Sequence, residues 1–449
     1  MNILKNQRIE AEILGYNSRG QGVARIGGRA VFVEGGARGD RARLHIVKVT
    51  SSAVYAKIEA LLCRSPRRME PQCPAFGRCG GCAYAHLQYE EEFNAKIQQI
   101  VDALTRLGGC ASLPEIEEVP AKELAGYRNK ALFPVANGPD RPVWGFYRPR
   151  SHHVVPLTAC LIQDPRANAA ANAVVGWMHT NGISAYDQAL HSGLVRHIFA
   201  RTGTRGCLLG VVANGGPQQA RSLVSSLRAA CPDAEGILWI DNREPGNVVL
   251  QGSIATLWGR PYIEETLCGL TFRIGALSFF QINRIQAEAL YGLAMDFAGT
   301  GETAVDLYCG TGTIALCLAR RFSNVWGIET VSQAIHDAQI NAAHNGLPAQ
   351  FIRADAAEGL AALLQRGVDP AAIVVDPPRK GLSPTLADAL KTSRRVVYLS
   401  CNPATLARDI KLLRQNGFSL SRLAAVDMFP RTAHIECAAL LQRTTGNTP

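Results

Sequence analysis

From about residue 270 onward the sequence alternates between short apolar segments and amphipathic segments, and this alternation limits the possible fold more than any other feature. The apolar segments are typical of buried strands, and the amphipathic segments have helical spacing. Regular alternation of strand and helix predicts a parallel doubly wound sheet with helices on both faces. The predicted strands are 304–308, 324–328, 371–375 and 395–399, and the predicted helices are 313–320, 331–345, 384–390 and 404–415.

The C-terminal end departs from this alternation. Residues 421–428 and 434–441 both have strand character, with no helical segment between them. Two strands joined by a short connection pair in antiparallel fashion. The sequence therefore predicts that an antiparallel hairpin completes the C-terminal α/β domain.

The N-terminal part has a different pattern. Residues 7–60 contain several short strands separated by turns, which predicts a small OB-like β-barrel. Residues 125–265 are also strand-rich, and residues 90–107 have the apolar spacing of a helix. We expect three domains: an OB-like barrel over 1–62, a β-rich central domain with a cysteine cluster over 63–268, and an α/β domain over 269–449.

Composition limits the class of protein. The chain has 449 residues, enough for two to four domains, and no apolar run approaches the roughly 18 residues of a membrane span. The first 16 residues lack the apolar core of a secretory signal. These features predict a cytoplasmic protein without a membrane partner, and we expect a monomer.

The net charge of +10 is concentrated near the N-terminus, where residues 1–70 contain 13 Lys and Arg against 6 Asp and Glu. A basic module of this kind favours a polyanionic partner, and OB-like barrels often bind single-stranded nucleic acid. The alternative is a basic surface that serves solubility alone.

A polar, glycine-containing loop follows the first predicted strand of the α/β domain, beginning at Asp306 and including Gly310 and Gly312. Glycines allow a tight turn and close approach to a ligand. Glu329 and Asp355 end the next two strands, where they can accept hydrogen bonds from a ribose and an adenine. The loop lacks the third glycine of a dinucleotide site and the Lys-Ser/Thr pair of a P-loop. An acidic site of this type suits S-adenosylmethionine, a nucleoside with a positive sulfonium.

Two further residues have the chemistry of a covalent catalyst. Cys401 follows a predicted strand in the polar segment Ser-Cys-Asn-Pro, and Glu436 lies in the terminal hairpin. A thiol nucleophile and a carboxylate base are the groups needed to alkylate an unreactive ring carbon. The helix predicted after Cys401 should lower the pKa of its thiol. The alternatives are a buried core cysteine and a solvated strand glutamate, and Asp376 is either a site residue or part of an Asp-Pro-Pro turn.

Five segments in this order resemble the RNA uracil-5-methyltransferases: Phe-Phe-Gln-Ile-Asn at 279–283, Asp-Leu-Tyr-Cys-Gly at 306–310, Asp-Pro-Pro-Arg-Lys-Gly at 376–381, Ser-Cys-Asn-Pro at 400–403 and the block at 427–436. The resemblance implies a Rossmann-like S-adenosylmethionine-dependent methyltransferase domain, with Cys401 as nucleophile and Glu436 as base. It also implies that residues 7–60 form a TRAM domain. The implied cofactor-binding residues are Gln281, Tyr308, Thr313, Glu329, Asp355 and Asp376.

Four cysteines form a candidate metal site. Cys73, Cys79 and Cys82 lie in one short segment, and Cys160 is the fourth. Four thiolates suit zinc or an iron–sulfur cluster, and the spacing does not distinguish between them. The family resemblance favours a [4Fe-4S] cluster over zinc.

Aromatic and cationic residues alternate in the central region, as in proteins that stack RNA bases and hold phosphates. Among these we favour RNA contacts for Arg128, Lys130 and Arg196. Trp144 and Phe146 share one face of a strand and fit a core role equally well.

The leading hypothesis is a methyltransferase that forms 5-methyluridine in 23S rRNA, because the barrel and cysteine cluster together resemble members acting on that RNA. One alternative is the same chemistry on tRNA. Another is a non-catalytic RNA-binding or ribosome assembly factor, against which the presence of both Cys401 and Glu436 argues. A cytosine-5 enzyme fits less well, since its Pro-Cys signature is absent.

Overall fold

The computed structural model describes residues 3–443, which divide into two compact units. Unit 1 comprises the residues up to Asp102, together with Phe146–Val155 and Phe429–His434. Unit 2 comprises Ala103–Gly145, Pro156–Met428 and the residues from Ile435. The division into three domains made from the sequence stays a prediction.

The N-terminal elements are six strands and one helix: β1 (Arg8–Glu12), β2 (Gly15–Tyr16), β3 (Gly22–Ile26), β4 (Arg29–Glu34), β5 (Arg41–Val49), β6 (Val54–Cys63) and α1 (Tyr89–Arg106). The six strands form one sheet in the order β1-β5-β6-β4-β3-β2. Its two edge strands, β1 and β2, are separated only by Ile13 and Leu14, so the sheet curves back on itself around a buried core that includes Ile13. The OB type of this sheet stays a prediction.

Unit 1 also contains two buried ionic groups. Asp40 is fully buried and accepts hydrogen bonds from the Arg68 guanidinium and from the backbone amides of Ala37 and Ser65. The helix α1 residues Glu92 and Lys96 form a fully buried pair at 2.8 Å. A buried charge is tolerated only when it is paired and hydrogen-bonded, so the Asp40 contacts hold the segment after β6 against the sheet.

The remaining elements, in chain order, are β7 (Ile116–Val119), β8 (Lys130–Asn137), β9 (Pro142–Tyr147), β10 (Val154–Leu157), α2 (Pro165–Thr180), β11 (Val195–Thr202), β12 (Cys207–Ala213), α3 (Ala220–Ala230), β13 (Ala234–Asp241), β14 (Ser253–Gly259), β15 (Tyr262–Leu267), β16 (Leu270–Gly275), α4 (Arg284–Ala298), β17 (Gly301–Leu307), α5 (Thr313–Leu318), β18 (Phe322–Glu329), α6 (Ser332–Asn345), β19 (Ala349–Arg353), α7 (Ala356–Gln365), β20 (Ala372–Val375), α8 (Pro384–Ala389), β21 (Arg395–Ser400), α9 (Pro403–Gln415), β22 (Phe418–Val426) and β23 (Glu436–Arg443). Strands β8 to β14 form a seven-stranded sheet in the order β10-β9-β8-β11-β12-β13-β14, and β15 pairs with β16 as a hairpin.

The C-terminal sheet has eight strands in the order β19-β18-β17-β20-β21-β23-β22-β7. Strands β17 to β21 are parallel to one another, and β23 is antiparallel to β21 and to β22. This confirms the α/β methyltransferase-type fold predicted for the C-terminal region, and the predicted terminal hairpin is present. The short strand β7, from a distant part of the chain, extends the sheet by pairing with β22.

The sequence placed six of the eight strands of this sheet within a few residues of their observed bounds, but it predicted no bounds for β7 and β19. It also did not predict α7 or α4, and the buried face of α4 carries residues of mixed polarity such as Gln286 and Tyr291. Within residues 3–443, no helix is long and apolar enough to cross a membrane.

Candidate active site

The register between β21 and β23 brings the two predicted catalytic residues together. Ser400, the last residue of β21, is the partner of Cys437 in β23. Continuing this register by one step beyond the paired residues sets Cys401 opposite Glu436, and the Glu436 carboxylate is close enough to raise the pKa of the Cys401 thiol. Directly opposed residues of antiparallel strands have Cβ atoms about 4.5–5.5 Å apart, which is close enough for their side chains to interact.

Cys401 connects the end of β21 to the start of α9. Asn402 caps this helix, since its side-chain oxygen accepts from the amides of Ala404 and Thr405 at 3.1 and 3.5 Å. Burial raises the pKa of the Cys401 thiol above its ordinary value, and the carboxylate of Glu436 raises it further. The predicted lowering of this pKa by the helix is therefore wrong in its net direction, because burial and nearby negative charge outweigh it.

Glu436 is the first residue of β23, and only 5% of it is exposed. Burial raises its pKa well above the ordinary range, Asp376 adds to the effect, and Arg379 acts in the opposite direction. A buried carboxylate of raised pKa is a stronger base than an exposed one. The neighbouring Cys437 is fully buried as well, and its direction relative to Glu436 stays a prediction.

The loop at 376–382 approaches both of these residues from the end of β20. Its position depends on Asp409, a fully buried carboxylate of α9. Asp409 accepts from the Tyr398 hydroxyl at 2.7 Å, from the Leu382 amide at 2.8 Å and from the neighbouring Arg408 guanidinium at 2.7 Å. A buried carboxylate with three donors is held in one geometry, so it ties the loop to the helix that begins beside Cys401.

Other contacts between the loop and α9 reinforce this anchor. The Thr405 hydroxyl donates to the carbonyl of Arg379 at 3.1 Å. Gly381 has a left-handed backbone, with φ of +76°, and a Cβ at this position would collide with Asp409. Only glycine tolerates both the conformation and the close approach. The charge of Arg379 is thereby held where it lowers the pKa values of Cys401 and Glu436.

Asp376 follows β20 and joins the two halves of the site. Burial raises its pKa to about 7, and its charge in turn raises the pKa values of Cys401, Glu436 and Asp306. Strongly raised carboxyl pKa values of this kind are common at functional sites. The site role of Asp376 stays a prediction, and its position beside the reactive residues agrees with it.

The loop between β17 and α5 has the form of a ligand-binding turn. Tyr308 has φ of +66°, a left-handed conformation that is uncommon for a residue other than glycine. Gly310 also has positive φ, and a Cβ there would meet no atom within 4 Å, so open space adjoins the loop. At Gly327 a Cβ would lie 2.6 Å from the ring of Phe351, which shows how tightly β18 packs behind the turn.

Glu329, at the end of β18, is held for ligand binding. Its Oε1 accepts from the amides of Thr330 and Val331 at 2.7 and 2.9 Å, and its Oε2 lies 3.3 Å from the amide of Gly310. Asp355 follows β19, is exposed, and caps α7 by accepting from the Ala357 amide at 2.9 Å. Both carboxylates lie at the carboxyl ends of parallel strands, where ligands bind in doubly wound sheets.

The side chains of Gln281 and Thr313 both lie near Tyr291, which the sequence did not predict to be a site residue. Tyr291 of α4 is buried, its hydroxyl lies 3.3 Å from the Thr313 hydroxyl, and the Gln281 side chain is within hydrogen-bonding reach. The sequence predicted Asp306 only as the first residue of the glycine-containing loop. In the structure it is fully buried, and neither of its carboxylate oxygens has a hydrogen-bond partner among the described residues. An orphaned buried carboxylate requires an explanation, and an absent cationic ligand provides one.

The two groups of residues occupy different parts of one sheet edge. The loops after β17, β18 and β19 carry Tyr308, Glu329 and Asp355, whereas Cys401 and Glu436 lie at β21 and β23. The strand order reverses between β17 and β20, and Asp376 follows β20. This reversal is the position where open parallel sheets bind ligands. The edge can thus hold an adenosyl group beside a reactive thiol and carboxylate.

The predicted metal ligands lie in both units. Cys73, Cys79 and Cys82 are half-buried in unit 1, and the amide of Gly81 donates to Cys79 Sγ at 3.4 Å. Cys160 belongs to unit 2. Over residues 3–443, no group of three or more His, Cys, Asp or Glu side chains is arranged to hold a metal ion. The cluster and its ligand set therefore stay predictions.

The predicted RNA-contact residues have different environments. Arg196 is buried, and its guanidinium donates to the carbonyls of Asn242, Glu244 and Gly246, so its prediction as an RNA contact is wrong. For Trp144 the sequence left two interpretations open, an RNA contact and a core residue. The structure places it in the core, because it is 1% exposed and donates to Asn172 at 2.8 Å.

The other two predicted RNA-contact residues, Arg128 and Lys130, are only half-buried. Burial together with Arg201 lowers the pKa of Lys130 to about 7. Their contact with RNA stays a prediction.

Two family profiles match the chain. The profile of tRNA (Uracil-5-)-methyltransferases matches residues 259–444, which contain the whole site described above. The profile of the TRAM domain matches residues 4–58, which form the six-stranded sheet apart from the end of β6.

Relatives match this chain over almost its whole length. Proteins described as uncharacterized RNA methyltransferases are 38% identical in Gloeobacter violaceus, covering 98% of each chain, and 35% identical in Clostridium tetani, covering 98% of this chain and 97% of the relative. A crystal structure of the Pyrococcus abyssi tRNA (uracil-54, C5)-methyltransferase with S-adenosyl-L-homocysteine is similar with a TM-score of 0.79 at 28% identity. It covers 96% of this chain and 99% of that one.

Replacing Asp376 by Asn should stabilise the protein at high pH. Because the folded-state pKa, about 7, lies above the unfolded value, the carboxyl costs stability as pH rises from about 4 to 7. We expect Asp376→Asn to increase the free energy of unfolding by roughly 2–4 kcal/mol at pH 8 and by almost nothing at pH 4. Urea denaturation at the two pH values measures this.

The control for this experiment is Asp140→Asn, a change in an exposed turn residue. It should leave the free energy of unfolding unchanged at both pH values. An equal gain for Asp376→Asn at pH 4 and pH 8 would contradict the assigned pKa.

Proposed function

Since the chain belongs to the family of RNA uracil-5-methyltransferases, we propose that it methylates C5 of a uridine in RNA, with Cys401 as the nucleophile and Glu436 as the base. The observation that carries this proposal is the register of β21 and β23, which sets Cys401 opposite Glu436. The proposed chemistry needs one thiol and one carboxylate, and these two residues supply both.

S-adenosylmethionine supplies the methyl group when it is bound. The residues proposed to hold it are Glu329 at the ribose hydroxyls, Asp355 at the adenine, and Tyr308 and Gly310 along the adenosyl group. These positions fit such a ligand because Glu329 is held in place beside the open space at Gly310. The orphaned carboxylate of Asp306 and the raised pKa of Asp376 favour a ligand with positive charge.

Gln281 and Thr313 are proposed as the remaining contacts on the cofactor side. Both converge on the buried Tyr291 hydroxyl, so their side chains are held in defined positions. This arrangement gives Tyr291 a positioning role behind the cofactor pocket.

The reaction divides into three steps at this chain's residues. The Cys401 thiolate adds to C6 of the uracil, and the electron pair of the C5–C6 double bond moves to form an enolate at O4. The enolate pair at C5 then forms a bond with the methyl group that the donor would supply, and the methyl–sulfur bond breaks with its electron pair left on the donor sulfur. Finally Glu436 removes the proton from C5, the C5–C6 double bond is restored, and the C6–S bond breaks to release the Cys401 thiolate.

The electrostatics of the free protein set the protonation states from which these steps begin. Both Cys401 and Glu436 have raised pKa values, so the unliganded site favours a neutral thiol and a neutral carboxyl. Arg379 lowers both pKa values and is the charge that favours the reactive thiolate. The target base must leave its stack to reach this buried edge.

The proposed substrate is 23S rRNA, on the grounds of the resemblance between the TRAM domain with its cysteine cluster and the members acting on that RNA. A second candidate is tRNA, which a specific observation favours. The similar Pyrococcus abyssi tRNA enzyme is covered over 99% of its length by this chain. The N-terminal region alone therefore does not discriminate between the two RNA classes.

We also propose that Cys73, Cys79, Cys82 and Cys160 bind a [4Fe-4S] cluster, with zinc as the less favoured occupant. Four thiolates match the donor set of such a cluster. The amide of Gly81 donates to Cys79 Sγ, and hydrogen bonds of this kind stabilise a thiolate. The cluster supplies structure in this proposal, and no step of the reaction passes through it.

The substrate class is tested with unmodified transcripts. We expect the purified protein, labelled S-adenosylmethionine and 23S rRNA to give label in 5-methyluridine on nucleoside analysis. The same assay with tRNA transcripts should give little label. Label on tRNA alone would transfer the proposal to the second candidate, and label on cytosine, or on no RNA, would refute it.

The roles of the two catalytic residues are tested with RNA containing 5-fluorouridine at the target, which cannot lose its C5 substituent as a proton. Cys401→Ala should abolish the covalent protein–RNA adduct seen on denaturing gels, and Cys437→Ala serves as the matched control that keeps it. With ordinary RNA, Glu436→Gln should make the adduct accumulate. Because the Cys401 thiol has a raised pKa, adduct formation should accelerate as pH rises from 6 to 9.

An adduct that persists in Cys401→Ala would exclude the assigned nucleophile. A pH profile that falls over the same range would contradict the assigned protonation state of the thiol.

The metal proposal is tested by iron, sulfide and zinc analysis of protein purified without oxygen. We expect iron and sulfide in about equal amounts, near four of each per chain. Cys79→Ala should remove them, whereas Cys110→Ala, at a buried thiol outside the proposed ligand set, should not. Stoichiometric zinc would support the less favoured occupant, and absence of both metals would reject the site.

A further inference from the structure

A surface pocket in unit 1 contains none of the residues proposed for catalysis, cofactor binding or metal binding. It has a volume of about 500 Å³ and is lined by the end of β9 and the turn that follows it, from Phe146 to His152, and by Gly80 and Gly81. Pockets of this size accept small ligands or a single unit of a polymer. The two glycines lie between Cys79 and Cys82, so the pocket shares a wall with the cysteine segment.

The turn that forms this pocket is held in a defined shape. The amide of Gly80 donates to the carbonyl of Tyr147 at 3.2 Å, and the amide of Arg148 donates to the carbonyl of His153 at 2.9 Å. Arg150 has φ of +61°, an uncommon left-handed conformation for a residue with a side chain. Strained backbone of this type is found at ligand-binding positions when the surroundings enforce it.

The charges of the pocket are uncompensated. Arg148 and Arg150 are exposed, and neither guanidinium has a carboxylate partner in the part of the chain that the structure describes. The lining contains no acidic side chain. Cations without partners around a concave surface attract an anionic ligand.

Aromatic side chains complete the pocket. The rings of Tyr147 and His152 lie with their centroids 5.5 Å apart at 75°. Gly80 and Gly81 leave the floor open, since a Cβ at Gly80 would lie 3.3 Å from the Tyr147 carbonyl oxygen and crowd the pocket. Aromatic rings beside arginines match the way proteins hold single-stranded RNA, with bases stacked on rings and phosphates on guanidinium groups.

We infer that this pocket binds one nucleotide of single-stranded RNA, with Arg148 and Arg150 at the phosphates and Tyr147 or His152 stacked on the base. This inference rests on the proposed function, because it assigns a contact to the same RNA substrate. It names a binding site away from the target uridine and explains why two glycines separate Cys79 from Cys82.

The test measures binding without the methyl donor. The affinity of the full-length protein for a fluorescein-labelled single-stranded RNA is followed by fluorescence anisotropy at several salt concentrations. Replacing both arginines, Arg148→Gln with Arg150→Gln, should weaken binding about tenfold or more. The slope of log affinity against log salt should fall by about 1–2, as expected when two phosphate contacts are lost.

The matched control replaces two other exposed arginines, Arg205→Gln with Arg366→Gln, which also lack carboxylate partners among residues 3–443. It changes the net charge equally and should leave the salt slope unchanged. Equal weakening in the two double variants would overturn the inference, because it would show a general charge effect. Displacement of the RNA by polyglutamate at matched charge would also overturn it, in favour of an acidic protein partner.

A second measurement locates the contact directly. RNA containing 4-thiouridine is cross-linked by light to the wild-type protein, and the modified peptide is identified by mass spectrometry. Cross-links within 146–153 support the pocket, and their absence while cross-links form elsewhere rejects it.

Methylation at saturating RNA distinguishes this inference from the proposed function. The arginine variant should keep the maximal rate of the wild type with a higher KM. Loss of binding in the variant with no methylation by the wild type would reject the proposed function alone. Normal methylation with unchanged KM would reject the pocket alone.

Discussion

The site depends on one reversal of chain direction. If β23 were parallel to β21, like the strands from β17 to β21, its first residue would lie at the opposite edge of the sheet. Because β23 is antiparallel, Glu436 begins the strand at the edge where β21 ends, and the pairing of Ser400 with Cys437 brings Cys401 level with it. The hydrogen-bond ladder determines this alignment, and a slip of one residue would turn Glu436 to the other face.

A second contact completes the reactive part of the site. Asp409 lies in the middle of α9, yet it accepts hydrogen bonds from the amide of Leu382 and the hydroxyl of Tyr398. Helix α9 therefore holds the loop carrying Asp376 and Arg379 while its N-terminus adjoins Cys401. Cys401, the proposed nucleophile, and the charges that shift its pKa are thus attached to one helix, which preserves their relative positions.

The sequence predicted much of this arrangement, because alternation of apolar segments is a local property. Residue types in order also predicted Cys401, Glu436 and the carboxylates Glu329, Asp355 and Asp376 as site residues, and the structure places all of them along one sheet edge. Packing between residues that are distant in the sequence cannot be predicted from such local patterns. The pattern around Arg196 is that of an exposed cation, but carbonyls more than 45 residues away bury it and satisfy its hydrogen bonds. The pKa of Cys401 likewise depends on burial and on Glu436, which no helix-end rule includes.

The distribution of charge separates two tasks at one sheet edge. On the proposed cofactor side, Asp306 is fully buried and Asp376 is half-buried, and the charge of Asp376 adds to burial in raising the pKa of Asp306. Such a group is unfavourable in an empty protein and becomes favourable when a cation is bound. On the reactive side, Arg379 offsets the negative charge of Glu436 beside Cys401. In the proposed reaction a positively charged methyl donor would neutralise the acidic half, whereas Arg379 acts on the Cys401 thiol, so that the two halves do not compete for the same charge.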